Sequence, residues 1–269
     1  MAKKTTVKYD IDIIVPIHKF DEETEKLLTR ALESVPSGMK VILSTTSEVA
    51  PKLADYSSKA PNGLELIVTS KDDNGDFSTL VNNGVENVEQ KYFSILEFDD
   101  EYSPIWFNNV KTYMDYKPEV SVFLPLNDLV DFESDTFVGY GNEAVWASSF
   151  SNEIGYIDND CLQQFFDFYM TGGVFNKDDF NTVGKLKPSI KLSFWYEFLL
   201  RLTNKGKKVF VIPKIGYQHN IGRKGSLFEN YRETLDEKES RFWLSLARKE
   251  CFFTQDRKKE YNPEEEEDD

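Results

Sequence analysis

Four short apolar runs near the start of the chain limit what it can fold into. They are the IDIIVPI core of residues 8–17, MKVILSTT at 39–46, GLELIVTS at 63–70 and YFSIL at 92–96. Each has the length of a strand, and the first, second and fourth have the near-continuous apolar character of strands buried on both faces. Helical spacing separates them. Leu27, Leu28, Ala31, Leu32 and Val35 form one stripe, opened by Asp21 and stopped by Pro36-Ser37-Gly38. Residues 47–60 suggest a short helix and KDDNGD at 71–76 a turn. Phe77, Leu80, Val81, Val85 and Val88 form a second stripe. Strands alternating with helices predict an α/β unit with a mostly parallel central sheet flanked by helices and right-handed crossovers. Ligands of such sheets sit beyond the carboxyl ends of the strands. Pro16-Ile17-His18, Ser44-Thr45-Thr46, the 71–76 turn and Glu97–Asp100 all fall at those ends.

The fourth strand runs straight into Glu97-Phe98-Asp99-Asp100, with Pro104 shortly after. Period-two alternation puts Glu97 and Asp99 on one side of an extended chain. Carboxylates at the exit of a buried strand are costly without a partner. A divalent cation with hard oxygen ligands, Mg2+ or Mn2+, is one solution. A solvated acidic loop is the other.

Beyond Pro104 the pattern continues with a helix at 104–116 and a strand at 120–126. Residues 127–170, rich in aromatics and acids, read as an insertion or lid. A strand turning into a helix is expected at 171–180, a helix at 193–206 and a strand at 207–220. A basic glycine-containing loop, IGRKGS, fills 221–226. One amphipathic helix is expected over 229–253, with Phe242, Trp243, Leu246 and Ala247 on its buried side. The run from Lys258 on is solvated charge and is expected to be disordered.

The chain has 269 residues, room for one large domain or two small ones. Its 32 basic and 47 acidic residues give a net charge of −15, and roughly −9 without the six acids of the tail. That balance argues against a broad nucleic-acid surface. Two distant cysteines, no signal-like leader and no long apolar segment point to a cytoplasmic chain with no membrane span.

Taken in order, several segments resemble the family 2 glycosyltransferases of the GT-A fold. The first strand ends Val15-Pro16-Ile17-His18-Lys19. Asn74-Gly75 precedes a helix carrying Asn82 and Gly84. The acidic strand end Glu97-Phe98-Asp99-Asp100 is followed by Pro104. TGGVFNKDDFNTVG, SFWYEFLLRLTNKGKKVFVIP and YQHNIGRKGS follow in the family's sequence of blocks. The match spans about residues 10–228. It implies one GT-A domain over 1–228, with 127–170 as insertion or acceptor region, a C-terminal helix over 229–257 and an acidic tail over 258–269. It also implies transfer of a sugar from a nucleotide-diphosphate donor, a UDP-sugar among the candidates, to a hydroxyl acceptor. Mn2+ or Mg2+ would be the cofactor. On this resemblance Asp99 is the foremost metal ligand, with Glu97, Asp100 and His219. Pro16, His18, Ser44, Asp72, Asn74, Asn82, Arg223 and Lys224 are candidate donor contacts.

The departures matter too. Glu97 stands where the family has Asp. The second strand ends in hydroxyls, Ser44, Thr45 and Thr46, where the family has acids. The family's catalytic acid pair falls on Phe194 and Trp195. Glu197 is the nearest carboxylate, two positions on and turned by about 200° of helix. Either Glu197 serves as the catalytic base from a shifted helix or the base is lost. A degenerate GT-A protein, serving as a binding or structural partner in a larger assembly such as a virion, is the alternative.

Overall fold

The computed structural model describes residues 9–58, 61–71, 74–147, 153–235 and 237–249. Both the tail and Asp72 lie outside them. All seven residues of β1 (Ile11–Ile17) and all six of β2 (Lys40–Thr45) are buried. Between them runs α1 (Glu22–Glu33), whose N-terminus is fixed by Asp21 accepting from the Thr24 amide at 2.8 Å. Next come α2 (Ala50–Ser57) and the half-exposed edge strand β3 (Glu65–Ser70). Asp76 caps α3 (Phe77–Val85) through the Thr79 amide. Gly84 lets this helix lie against β1, because a Cβ there would fall 2.5 Å from Ile14 Cγ2. The first half closes with β4 (Tyr92–Ile95).

The second half carries β5 (Glu101–Tyr102), α4 (Trp106–Tyr116), β6 (Val120–Asp131), β7 (Thr136–Gly141), β8 (Tyr156–Ile157) and α5 (Asn159–Gln164). It continues with β9 (Val174–Asn176), α6 (Lys177–Val183), α7 (Phe194–Asn204), β10 (Lys208–Ile221), α8 (Leu227–Thr234) and α9 (Glu237–Arg248).

Among the described residues the strands form one sheet ordered β3-β2-β1-β4-β9-β6-β10-β5, with β7 on β6 and β8 on β10. The strands β1, β2, β3 and β4 are mutually parallel. β9 lies antiparallel between β4 and β6, so β6 and its parallel neighbour β10 run the same way as β4. Alternation then sorts the core onto two faces. Ile14, Ile42, Phe93 and Ile95 join one apolar cluster, with α3 and α7. Ile13, Val15, Val41, Leu43 and Tyr92 join the other, with α1 and α4. The ends of β1, β2, β3 and β4 share one rim, as the alternating pattern requires.

Three expectations change. The strand from 120 does not stop at 126. It runs to Asp131 and returns through β7 as a hairpin, because Asn127 and Asp128 pair with the prolonged β10 and β7 rather than leaving the sheet. Among the described residues of 127–170, β7 pairs with β6 and β8 with β10, and α5 follows, so the segment is more regular than expected. The C-terminal helix is two helices. Ser226 caps α8, and the chain breaks after Thr234 before α9 begins. In α9 Ala247 is buried and Trp243 and Leu244 pack on the core, which turns Phe242 outward at 58% exposure.

Candidate functional site

The site grows from the turn after β4 and the far end of β10, which are stitched together. The Tyr217 hydroxyl, fully buried, accepts from the Glu97 amide at 3.0 Å. Asp100 Oδ1 accepts from the Asn220 amide at 2.8 Å, and its Oδ2 meets His219 Nδ1 at 2.7 Å. The Asn220 side chain donates to the Asp99 carbonyl, which Arg30 also reaches at 3.1 Å. Asp99 Oδ2 pairs with Arg223 Nε at 2.6 Å, and the Arg223 guanidinium lies over the rings of Phe98 and Phe132. Irregularities in β10 between Val211 and Tyr217 bring this strand end over the acid turn.

Glu97, Asp100 and His219 each place one ligand atom within 4.8 Å of the others. Two carboxylate oxygens and an imidazole nitrogen suit Mn2+ well and Mg2+ less well, since Mg2+ prefers oxygen alone. The electrostatics fit a cation. Burial pushes the Glu97 carboxyl up to about 8, with the neighbouring Asp100 charge adding to it. Burial alone would keep His219 neutral, but the Asp100 carboxylate against it wins and pushes it up to about 9. His18 moves the other way, down to about 4, through burial and then the nearby Lys19 and Arg223 charges.

Glu97 and His219 open into a cleft of about 340 Å³, and Asp100 lies buried behind them. Pro16 and His18 from the end of β1, Glu97 and Asp99, and His219 to Arg223 form one side. Residues 166–171, the first turn of α7 and Phe228 and Arg232 of α8 form the other. That second side is largely aromatic: Phe77, Phe194, Trp195 and Phe228 stand in mutual ring contact.

Of the expected donor contacts, Pro16, His18 and Arg223 line the cleft. Asn74 holds the turn before α3 by accepting from the Asp76 amide, and Gly75 runs beside His18. Ser44 does not reach the cleft. It is fully buried and donates to the Leu80 carbonyl at 2.6 Å, tying β2 to α3. Asn82 is likewise structural, exchanging two hydrogen bonds with the Leu186 backbone. Lys224 is exposed, pairs with Glu133 at 2.8 Å and is absent from the cleft wall. Among the metal candidates, Asp99 stands apart from the cluster of three because Arg223 takes its carboxylate.

Glu197 is not placed to act as a base. It is 2% exposed and grips Arg201 at 2.6 and 2.8 Å, with Lys187 at 2.7 Å. Helix phase explains it. Phe194 and Trp195 take the cleft-facing positions of α7, so Glu197 turns to the loop before the helix. The sequence carried the signal in the i,i+4 spacing of Glu197 and Arg201. Sequence reasoning missed Tyr217 and Asn220, whose partners lie about 120 residues away, and two residues of the far wall, Asp167 and Thr171.

No protein-family model matches the chain. Over 126 residues it is 32% identical to the minor teichoic acid biosynthesis protein GgaB of Bacillus subtilis (strain 168). That match covers 42% of this chain and 13% of GgaB. Among solved structures it is similar to S. aureus TarS 1-349 in complex with UDP-GlcNAc. The TM-score is 0.61 at 16% identity, over 81% of this chain and 60% of that one. TarS 1-349 in complex with UDP gives 0.57 at 15% identity, over 79% and 60%. The chain thus spans a small part of GgaB and about three fifths of the TarS fragment. The fold shared with TarS is the GT-A fold, a central sheet flanked by helices.

Proposed function

We propose that this cleft binds a nucleotide-diphosphate sugar, with UDP as the nucleotide, and transfers the sugar to a hydroxyl acceptor. The observation that carries the reading is the convergence of Glu97, Asp100, His219 and the buried Arg223 at the rim of a GT-A sheet. The UDP and UDP-GlcNAc complexes of TarS and the glycopolymer role in the name of GgaB support it.

Transfer forms a bond from the acceptor oxygen to the anomeric carbon and breaks the bond from that carbon to the diphosphate. The diphosphate leaves with the electron pair, and the acceptor proton goes to a base. Arg223 spends only Nε on Asp99, and its Nη groups make no hydrogen bond among the described residues, so a diphosphate can take them. Glu97, Asp100 and His219 would hold Mn2+ or Mg2+, which supplies further positive charge to the leaving group. With Glu197 committed to Arg201, the cleft offers Asp167 as a base. It is exposed on the aromatic side and has no ion pair among the described residues.

The test is calorimetry with UDP, with Mn2+ and with EDTA. Binding is expected to need Mn2+ and to fail in His219→Ala; equal, metal-independent binding in both proteins removes the metal role. Asp167→Asn should leave UDP binding unchanged and slow release of UDP from a UDP-sugar by about 10²–10⁴-fold. One observation favours a second reading, binding without transfer: Phe194 and Trp195 occupy the place of the family's acids. Tight UDP-sugar binding with no turnover in the wild type would select it.

A further inference from the structure

Residues 166–170 of the cleft wall belong to no helix or strand. One side chain from the end of the β6–β7 hairpin ties them down. Asn142, directly after β7, is 3% exposed. Its Nδ2 donates to the Tyr169 carbonyl at 2.8 Å and to the Pro125 carbonyl at 2.9 Å, and its Oδ1 accepts from the Tyr169 amide at 2.9 Å. Among the described residues no other hydrogen bond reaches the backbone of residues 166–169. Asn142 has φ 67° and ψ 4°, a left-handed conformation that asparagine tolerates better than most residues.

The group held by this tie is the Tyr169 ring. Gly141 makes room for it, since a Cβ there would fall 2.7 Å from Tyr169 Cδ2. The ring meets the His219 imidazole in an edge contact, with centroids 5.5 Å apart and planes at 61°. Asp100 Oδ2 holds the same imidazole through Nδ1 at 2.7 Å. Asp100 pins one nitrogen, and the Tyr169 ring limits how far the imidazole can turn about that contact. Groups that orient a metal-binding imidazole tune its affinity for the ion. We propose that Asn142, which does not itself line the cleft, is a positioning residue for the cation site. It fixes the Tyr169 backbone, and the Tyr169 ring in turn holds His219 in its ligating orientation. The inference rests on the cation reading above and adds to it the hairpin residue that sets the imidazole.

Mn2+ affinity would be read from the EPR signal of the free ion, with and without UDP, well below the Tm of every variant. Asn142→Gly keeps the left-handed backbone and removes the tie. It should weaken Mn2+ binding about tenfold, and Tyr169→Ala should do the same. The double variant should lose no more than about twofold beyond either single one, because both act through one ring. Tyr169→Phe should regain most of what Tyr169→Ala loses. Asn82→Ala removes a comparable tie, to the Leu186 backbone, and should lower Tm while leaving Mn2+ affinity unchanged. Should Asn142→Gly fail to fold, Gly141→Ala displaces the same ring and should weaken Mn2+ binding in its place. Unchanged affinity in the folded variants, losses that multiply to about a hundredfold in the double variant, Tyr169→Phe as weak as Tyr169→Ala, or an equal loss in Asn82→Ala would each overturn the proposal. Wild type that binds no Mn2+ under either condition would instead remove the cation reading, and the proposal with it.

Discussion

Two buried acidic sites lie a few elements apart and answer their charge in opposite ways. In the first turn of α7, Glu197 is enclosed by Arg201 and Lys187, which together outweigh its single negative charge. In the turn after β4, Glu97, Asp99 and Asp100 are met by Arg223 and by His219, an ion-pair partner only when protonated. One site is neutralised from within the chain and closed. The other, beside a cleft, is balanced only by borrowed protons: burial makes Glu97 hold one up to about 8, and the Asp100 carboxylate keeps one on His219 up to about 9. A buried acid that the chain itself satisfies is a structural brace. One that the chain leaves unsatisfied is where an external cation belongs.

The sharpest way to break this comparison is at Glu197. Glu197→Ala strands Arg201 in a nearly closed environment and should cost about 3–5 kcal/mol of stability, read by urea unfolding. If it spares stability but abolishes turnover, the brace and the site have been assigned the wrong way round.

A smaller effect is expected at Glu97. Its folded carboxyl holds the proton up to about 8, while an unfolded one loses it near 4.5. Between those values the folded state binds more protons than the unfolded one, so stability falls as pH rises. His219, up to about 9 from 6.5, continues the fall at its own higher range. Metal-free protein should therefore lose Tm from pH 4.5 upward, and Glu97→Gln should flatten the lower part of that slope. Saturating Mn2+ should reverse the trend, because a metal displaces those protons. A slope identical in Glu97→Gln would show that this carboxyl is not held protonated.

The smallest effect belongs to Lys187. Its side chain is 42% exposed while Arg201 carries the inner contact, so Lys187→Ala should cost less than about 1 kcal/mol. A larger loss would mean that the two cations act as one unit around Glu197.

These sites also show what could be read from residues alone. β1, β2 and β4 announce themselves because a strand covered on both faces must be apolar throughout. The acid turn was visible because three carboxylates at the end of such a strand need an explanation. Its pairing was not. Arg223 finds Asp99 across 124 positions, and nothing local in the sequence says that the carboxylate nearest in pattern to a metal ligand is taken. β6 was cut short for a related reason. Asn127 and Asp128 look like the end of a strand until β7 and the far half of β10 supply their neighbours. Glu197 differs from both, since its Arg201 partner sits one helical turn away and the spacing was there to be read.

The reach of β10 has a consequence for the order in which the molecule is made. The acid turn at 97–100 leaves the ribosome well before His219, Asn220 and Arg223, which lie 119 to 124 residues from their partners in it. At common rates of synthesis that gap lasts about 6–24 s. During it, β1 to β4 can pair while the clustered carboxylates lack their own cations. The nascent sheet thus carries its most self-repelling segment on an incomplete edge until the last strand arrives. Closure of the site therefore waits on the far end of β10, long after the acid turn itself is made.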